Sequence, residues 1–159
     1  MPLLSEDDKK TLTSRFQETL KDPVKIRLFV QSQARSLLVL PGQRPAAPTN
    51  EYAKVTQELL QEVVGLSPKL SLEVLDPNNA GSAEAKRMKI EQVPAIVIGD
   101  DPDGRMRFYG APVGNEFPTI LMGIESLSNN EPMLREEVAA AIRDRVDEDV
   151  HLRVFVTPT

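Results

Sequence analysis

The most constraining feature of this 159-residue chain is a seven-residue segment that occurs twice. VKIRLFV at Val24–Val30 returns as VHLRVFV at Val150–Val156, with four identical positions and two aliphatic exchanges. Each copy alternates apolar side chains with other residues, as a β-strand does, and each follows a helix-like segment. The two copies lie a domain length apart, too far for a solenoid repeat. The repeat therefore predicts one α/β domain followed by the opening helix and strand of a second.

Between the two copies, helical and strand patterns alternate. Ser5 and Asp8 form a capping-box pattern before a first helix, in which Leu12 and Phe16 belong to an apolar stripe. Asn50, Asn115 and Asn130 are expected to open later helices. Further strands are predicted over Leu70–Leu75, Ala95–Ile98 and Arg105–Tyr109, with a short helix over Ser82–Met88 and a hairpin turn over Asp100–Gly104. Helices between strands favour parallel pairing, and the hairpin adds an antiparallel pair. We predict an α/β fold with a four-stranded mixed sheet flanked by helices.

The composition excludes several classes of chemistry. The chain has no cysteine and a single histidine, His151, so no disulfide, thiolate metal site or thiol nucleophile is available. His151 lies inside the second strand pattern and is expected to be a sheet residue. We therefore expect no cofactor, no metal site and no catalytic residue in this chain.

Charge and hydropathy argue against two kinds of partner. The formal net charge is −5, with basic and acidic residues interspersed, so no nucleic-acid surface is expected. No apolar run reaches the roughly 18 residues that span a bilayer. The N-terminal MPLLSEDDKK has no apolar core of the signal-peptide kind. A cytoplasmic protein is the default expectation.

Pro94 stands directly before the predicted third strand, in the segment Gln92–Ile98. This segment and several others along the chain carry a family resemblance. Together they resemble the tandem thioredoxin-fold protein disulfide oxidoreductases, also called glutaredoxin-like proteins, of thermophilic prokaryotes. The segments that carry the resemblance are Leu4–Leu12, Lys21–Val30, Leu70–Asp76, Gln92–Ile98, Arg107–Phe117 and Val150–Thr159. They span nearly the whole chain.

The resemblance implies a thioredoxin-like fold and a site. In that family the proline peptide bond is cis and its loop offers backbone hydrogen bonds to an extended substrate, which makes Val93 and Pro94 the expected substrate- or partner-binding residues. The family's Cys-x-x-Cys stands at the start of the helix after the first strand. The corresponding place lies near Asn50, Glu51, Tyr52 and Ala53, the degenerate active-site positions, and on any alignment it holds no sulfur.

The resemblance also implies a domain division. Residues 1–128 correspond to a thioredoxin-like domain without its redox dithiol, and residues 129–159 to the opening helix and strand of a second copy. In the family, VFVTPT continues into a Cys-x-x-Cys, so we favour a longer parent whose second half carries the dithiol and performs thiol–disulfide exchange.

Two functions remain open at this stage. In the first, the domain is redox-inactive and either supports a catalytic second domain or binds a protein or peptide partner. The alternative is a self-contained binding or oligomerisation module, which forms a homodimer through the C-terminal strand. An enzyme of unrelated chemistry is the weakest interpretation, because base, thiol and metal cluster are all lacking.

Overall fold

A computed structural model of the chain describes residues 2–31, 51–101, 106–131 and 134–156. The helices and strands, in chain order, are α1 (Glu6–Thr19), β1 (Val24–Phe29), α2 (Glu51–Val64), β2 (Leu70–Leu75), α3 (Ser82–Arg87), β3 (Ala95–Ile98), β4 (Arg107–Tyr109), a 3-10 turn (Gly114–Glu116), α4 (Phe117–Asn129) and α5 (Glu136–Arg145).

The four strands form one mixed sheet in the order β2-β1-β3-β4. β1 and β2 are parallel and joined through α2, and β3 runs antiparallel to both β1 and β4. Phe29 at the end of β1 is opposite Ala95 at the start of β3. The predicted four-stranded mixed sheet flanked by helices is confirmed.

The two faces of the sheet are covered unequally. One face carries the larger core, in which residues of β1 such as Ile26 and Leu28 pack with Phe16 of α1, Leu60 of α2 and Ile124 of α4. On the other face a smaller cluster joins Phe29, Ala85, Met88, Ala95 and Val97. The alternation along β1 correctly separates its two faces, but Phe29 is fully buried because the short helix α3 and its C-terminal cap cover that end of the strand.

Polar side chains cap α1 at its start and connect its second half to α4. Ser5 and Asp8 form the expected capping box, in which Ser5 Oγ accepts from the Asp8 N–H at 3.1 Å and Asp8 accepts from the Ser5 N–H. The Ser5 hydroxyl also donates to Asp8 Oδ2 at 2.5 Å, and this bond, together with the one from the Ser5 N–H, holds the pKa of Asp8 below its usual value. Further along, Arg15 forms two hydrogen bonds with Glu125 of α4. The helix is therefore part of the packed domain.

Two predicted helix starts fall elsewhere. Asn115 lies inside the 3-10 turn, and α4 begins at Phe117 with Pro118 in its first turn. Asn130 closes α4 instead of opening the next helix, with a left-handed φ of 52° that its short amide side chain tolerates. α5 follows at Glu136, after Arg135 in extended conformation. The predicted hairpin turn falls largely on residues 102–105, outside the described residues.

The strand predicted over Val150–Val156 is not formed. Residues 150–156 have no regular secondary structure and all are exposed. A strand exists only when a neighbouring strand pairs with its backbone, and none of the described strands pairs with this segment. His151 is accordingly an exposed residue of an irregular segment, where its Nε2 lies 3.0 Å from Arg153 Nε, and it is not a sheet residue. The division at residue 128 remains a prediction.

Candidate functional site

The topology brings the predicted site residues to one end of the sheet. Because β1 and β2 are parallel, α2 runs back between them, and its first turn lies at the end where β1 finishes. β3 is antiparallel to β1 and begins at that same end, directly after Val93 and Pro94. The first turn of α2 and the Val93–Pro94 loop therefore share this end of the sheet.

Pro94 is anchored on the sheet by its carbonyl group. Its side chain is buried, the Val93–Pro94 peptide bond is cis, and the Pro94 carbonyl accepts a hydrogen bond from the Gly110 N–H at 2.9 Å. Gly110 follows β4 with a φ of +101°, a conformation that favours glycine. This glycine directs its N–H to the loop and so connects the end of β4 to the proline.

Val93, by contrast, keeps its backbone groups unpaired within the described part of the chain. Its side chain is half-buried against the smaller core cluster, whereas its N–H and C=O form no hydrogen bond to another described residue. An extended strand presented beside this residue would satisfy both groups. The loop thus combines an anchored Pro94 with Val93 backbone groups that are unpaired among the described residues.

The degenerate active-site positions fall at the start of α2. Glu51 and Tyr52 are exposed in its first turn, Ala53 packs against the larger core, and Asn50 lies outside the described residues. A helix start favours negative charge, and Glu51 supplies a carboxylate there. Because the chain has no sulfur nucleophile, these side chains cannot carry dithiol chemistry. Their assignment as the former active site stays a prediction.

Two exposed apolar side chains, which precede and follow Gly110 in the sequence, were missed by the sequence analysis. Tyr109, the last residue of β4, pairs in register with Ala95 and remains exposed, and Val113 is also exposed a few residues later. Tyr52 contributes a third exposed apolar side chain at the same end of the sheet. The signal was present in the RFYGAPVGNEF segment, but the sequence does not show which of its residues lie beside Pro94.

The charges near the loop belong to an exposed ion pair. Glu91, three residues before Pro94, accepts from Arg153 Nη2 at 3.2 Å, and both side chains are exposed.

The described residues contain no group of three His, Cys, Asp or Glu side chains that could hold a metal ion. Within the same residues, no helix is long and apolar enough to cross a membrane.

One cavity among the described residues lies away from this site. A cavity of about 340 Å³ is lined by Pro2, Glu58, Gln61 and Glu62. Three of these residues belong to the second half of α2, toward the opposite end of the sheet from its first turn. The Val93–Pro94 loop is not among the residues that line this cavity.

No protein-family model matches the sequence, and no curated protein matches it significantly. Solved structures do match. A protein disulfide oxidoreductase from Aeropyrum pernix K1 is similar at 23% sequence identity with a TM-score of 0.68, over 87% of this chain and 54% of that chain.

Two structures of the alkylhydroperoxide reductase AhpF from Enterococcus faecalis are also similar, one of a mutant and one of its NTD_N/C domain. Each matches at 20% identity with a TM-score of 0.65, over 87% of this chain and 59% of the other. This chain thus spans little more than half the length of these proteins. The first match agrees with the resemblance carried by the sequence, and at these identities it is the fold that is established. Sheet order, strand directions and these matches together show that the chain has a thioredoxin-like fold.

Proposed function

We propose that this chain is a thioredoxin-fold domain without a redox centre of its own, and that it binds an extended segment of a protein partner along the Val93–Pro94 loop. The observation that carries the proposal is the pair of unpaired Val93 backbone groups, within the described residues, beside a buried, anchored Pro94. An added strand gains affinity from main-chain hydrogen bonds and specificity from side-chain contacts. Tyr109 and Val113 supply exposed apolar surface for such contacts.

The redox-inactive part of the proposal rests on the composition. Thiol–disulfide exchange requires a thiolate that attacks a disulfide sulfur, and this chain contains no cysteine. A solution of the chain with insulin and dithiothreitol should reduce insulin no faster than dithiothreitol alone. Accelerated reduction would contradict this part and leave the binding part untouched.

Binding can be tested without knowing the natural partner. A library of short peptides displayed on phage is selected against the full chain, and the selected peptides are titrated into isotopically labelled protein. We expect the largest amide shifts in the nuclear magnetic resonance spectrum at Val93, Ala95 and Gly110. Shifts confined to other surfaces, or the absence of any selected peptide, would overturn the proposal.

Two proline variants form a matched pair for this titration. Pro94→Ala removes the buried proline that fixes the loop and should weaken peptide binding. Pro68→Ala changes an exposed proline in the connection from α2 to β2, at the other end of the sheet, and should leave binding unchanged. Circular dichroism establishes that each variant is folded. Equal binding by both variants would count against the loop as the binding site.

The wider context forms part of the same proposal. The repeat of β1 at residues 150–156 supports a second thioredoxin-like unit beginning after residue 128, and such a unit would supply the thiol–disulfide exchange that this domain lacks. The domain would then hold a protein substrate for its neighbour. Its expected location is the cytoplasm, and cell fractionation with an antibody to the chain would test that expectation.

A further inference from the structure

The shortest strand of the described sheet is β4, which has three residues and pairs only with β3. It ends directly before Gly110, whose N–H donates to the Pro94 carbonyl at 2.9 Å. A strand with a neighbour on one side depends on side-chain packing as well as on its hydrogen bonds. The packing that holds β4 in place therefore also supports the hydrogen bond between Gly110 and Pro94.

Met106, directly before β4, connects this strand to α4. Its carbonyl accepts a hydrogen bond from the Ile98 N–H at 3.1 Å, which extends the pairing of β3 with β4. Its thioether lies against Gly123 of α4, where an added Cβ would be only 2.9 Å from Met106 Sδ and 3.4 Å from Ile98 Cδ1. Phe108, two residues further along, packs against the larger core on the same face. Met106 and Phe108 thus attach β4 to the helical layer.

The contact with Gly123 leaves the sulfur no space on the side of α4. A separation of 2.9 Å is closer than a real Cβ approaches another atom, so the thioether fits there because Gly123 has no side chain. Gly123 lies in the interior of α4, where backbone N–H groups donate to carbonyl groups of the preceding turn. This surface suits a nonpolar thioether and offers no hydrogen-bond donor to a more polar group.

The Met106 side chain is also within reach of solvent. Met106 is 38% exposed, and Met122 on α4 is 45% exposed, whereas Met88 in the smaller core cluster is fully buried. A dissolved oxidant therefore reaches two of the three described methionines. Of these two, Met106 is the one that lies between β4 and α4.

We propose that Met106 is an oxidation site through which a peroxide loosens β4 from α4. The thioether sulfur attacks one oxygen of hydrogen peroxide, the O–O bond breaks, and the S–O bond of a sulfoxide forms. The sulfur is oxidised by two electrons, and the other peroxide oxygen is reduced and leaves as water. The new oxygen is a polar acceptor and must face water, because the α4 surface has neither space nor a donor for it. The side chain consequently leaves its contact with Gly123.

The expected consequence reaches the loop through β4. Without the Met106 contact, the strand that precedes Gly110 is less firmly held, so the hydrogen bonds from the Ile98 and Gly110 N–H groups open more often. The oxidation thereby gives a cysteine-free domain a response to peroxide. Weaker peptide binding at Val93 follows from it, and this last step rests on the proposed function. The opening of the two hydrogen bonds can be measured without any peptide.

Two variants form a matched pair for the test. Met122→Leu keeps the thioether at Met106, and Met106→Leu keeps the one at Met122. Met1 and Met133, which lie outside the described residues, are the same in both variants. Each full-length variant is treated with hydrogen peroxide and compared with its own untreated form. Mass spectrometry of proteolytic fragments locates the added oxygen, and nuclear magnetic resonance follows the hydrogen exchange of individual amides.

The two variants should respond differently. In Met122→Leu, we expect oxidation to speed the exchange of the Ile98 and Gly110 amides about 5–30-fold, the change that a loss of one or two kcal/mol produces. The Val30 amide, which donates to the Leu75 carbonyl on the β2 side of the sheet, should be unaffected. In Met106→Leu the same treatment should change none of these rates. A methionine sulfoxide reductase should restore slow exchange in oxidised Met122→Leu.

Several results would overturn the inference. These are a Met106 that gains no oxygen, unchanged amides in oxidised Met122→Leu, or equal acceleration in both variants. Oxidation of the buried Met88 together with faster exchange throughout the chain would show general unfolding and would overturn it as well. Peptide binding is then measured on the same samples. Unchanged binding by a chain whose Gly110 amide exchanges faster would contradict the proposed binding site and leave the oxidation site standing.

Discussion

The Arg15–Glu125 ion pair that fastens α1 to α4 allows one prediction to be worked through from the geometry. Arg15 Nε lies 2.5 Å from Glu125 Oε1, and Arg15 Nη2 lies 2.7 Å from Glu125 Oε2. Hydrogen bonding to this carboxylate raises the pKa of Arg15. The Glu125 side chain is only 3% exposed, whereas that of Arg15 is 43% exposed. The perturbation is Arg15→Met, which keeps an apolar stem and removes the charge.

The loss in free energy of unfolding expected for Arg15→Met lies between two known limits. Removal of one partner from a fully buried pair costs about 3–5 kcal/mol, and removal of an exposed pair costs about 0–1 kcal/mol. In this pair the carboxylate is buried and the guanidinium is in contact with water. After the substitution, Glu125 retains only the Thr19 hydroxyl, at 3.3 Å, as a side-chain donor among the described residues. We expect Arg15→Met to lower the free energy of unfolding by about 2–3 kcal/mol.

Urea unfolding followed by circular dichroism measures this difference, and two further variants interpret it. Lys21→Met removes an exposed pair with Glu131 and should change the free energy of unfolding by no more than about 0.5 kcal/mol. The double variant Arg15→Met/Glu125→Met removes the stranded carboxylate and should recover most of the loss. If Arg15→Met costs as little as Lys21→Met, the Glu125 carboxylate is solvated after the substitution and the reasoning is refuted.

Three further predictions concern stability. Ser128→Ala removes a buried hydroxyl that donates to the Asp22 carbonyl at 2.6 Å, and urea unfolding should show a loss of about 1–3 kcal/mol; a smaller loss would mean that water replaces the hydroxyl. Gly81→Ala would place a Cβ 2.8 Å from the Leu75 Cβ and should lower the melting temperature, and an unchanged value would contradict the close approach. The backbone N–H groups of Leu3 and Leu4 donate to the Glu62 carboxylate and hold its pKa below the ordinary 4.5, so the stability they contribute is present above that value and is lost as the pH falls through the lowered pKa. Glu62→Gln should therefore flatten the acid dependence of the free energy of unfolding, and an equally steep dependence in the variant would refute the assignment.

Local patterns were sufficient to predict most of the fold. Ser5 and Asp8 identify the start of α1, and the alternating residues of β1 identify a strand with two different faces. These features depend on neighbours a few residues away, which the sequence displays directly. The end of α4 was harder, because Asn130 suits both a helix start and a left-handed helix end, and only the packed structure selects between them.

Features that depend on distant residues could not be read from the sequence. Arg27 is buried on β1, where it donates to the Gly99 carbonyl at 3.0 Å and to Asp100 at 3.2 Å. The acceptors follow the end of β3, which lies beside Arg27 in the sheet. The placement of this charge therefore depends on strand order, which a local sequence pattern does not show. The same holds for the candidate site, where Gly110 reaches the Pro94 carbonyl only through the pairing of β3 with β4.

The repeated strand sequence illustrates the physical limit most clearly. Val24–Val30 and Val150–Val156 share their alternation, yet the first contains a strand and the second is irregular. The difference lies in their surroundings, since β1 is hydrogen-bonded on one side to β2 and on the other to β3. Alternating apolar residues make a segment suitable for a sheet, but the backbone groups of a neighbour are required to form one. A neighbouring strand, such as the proposed second thioredoxin-like unit would supply, would convert residues 150–156 into a strand.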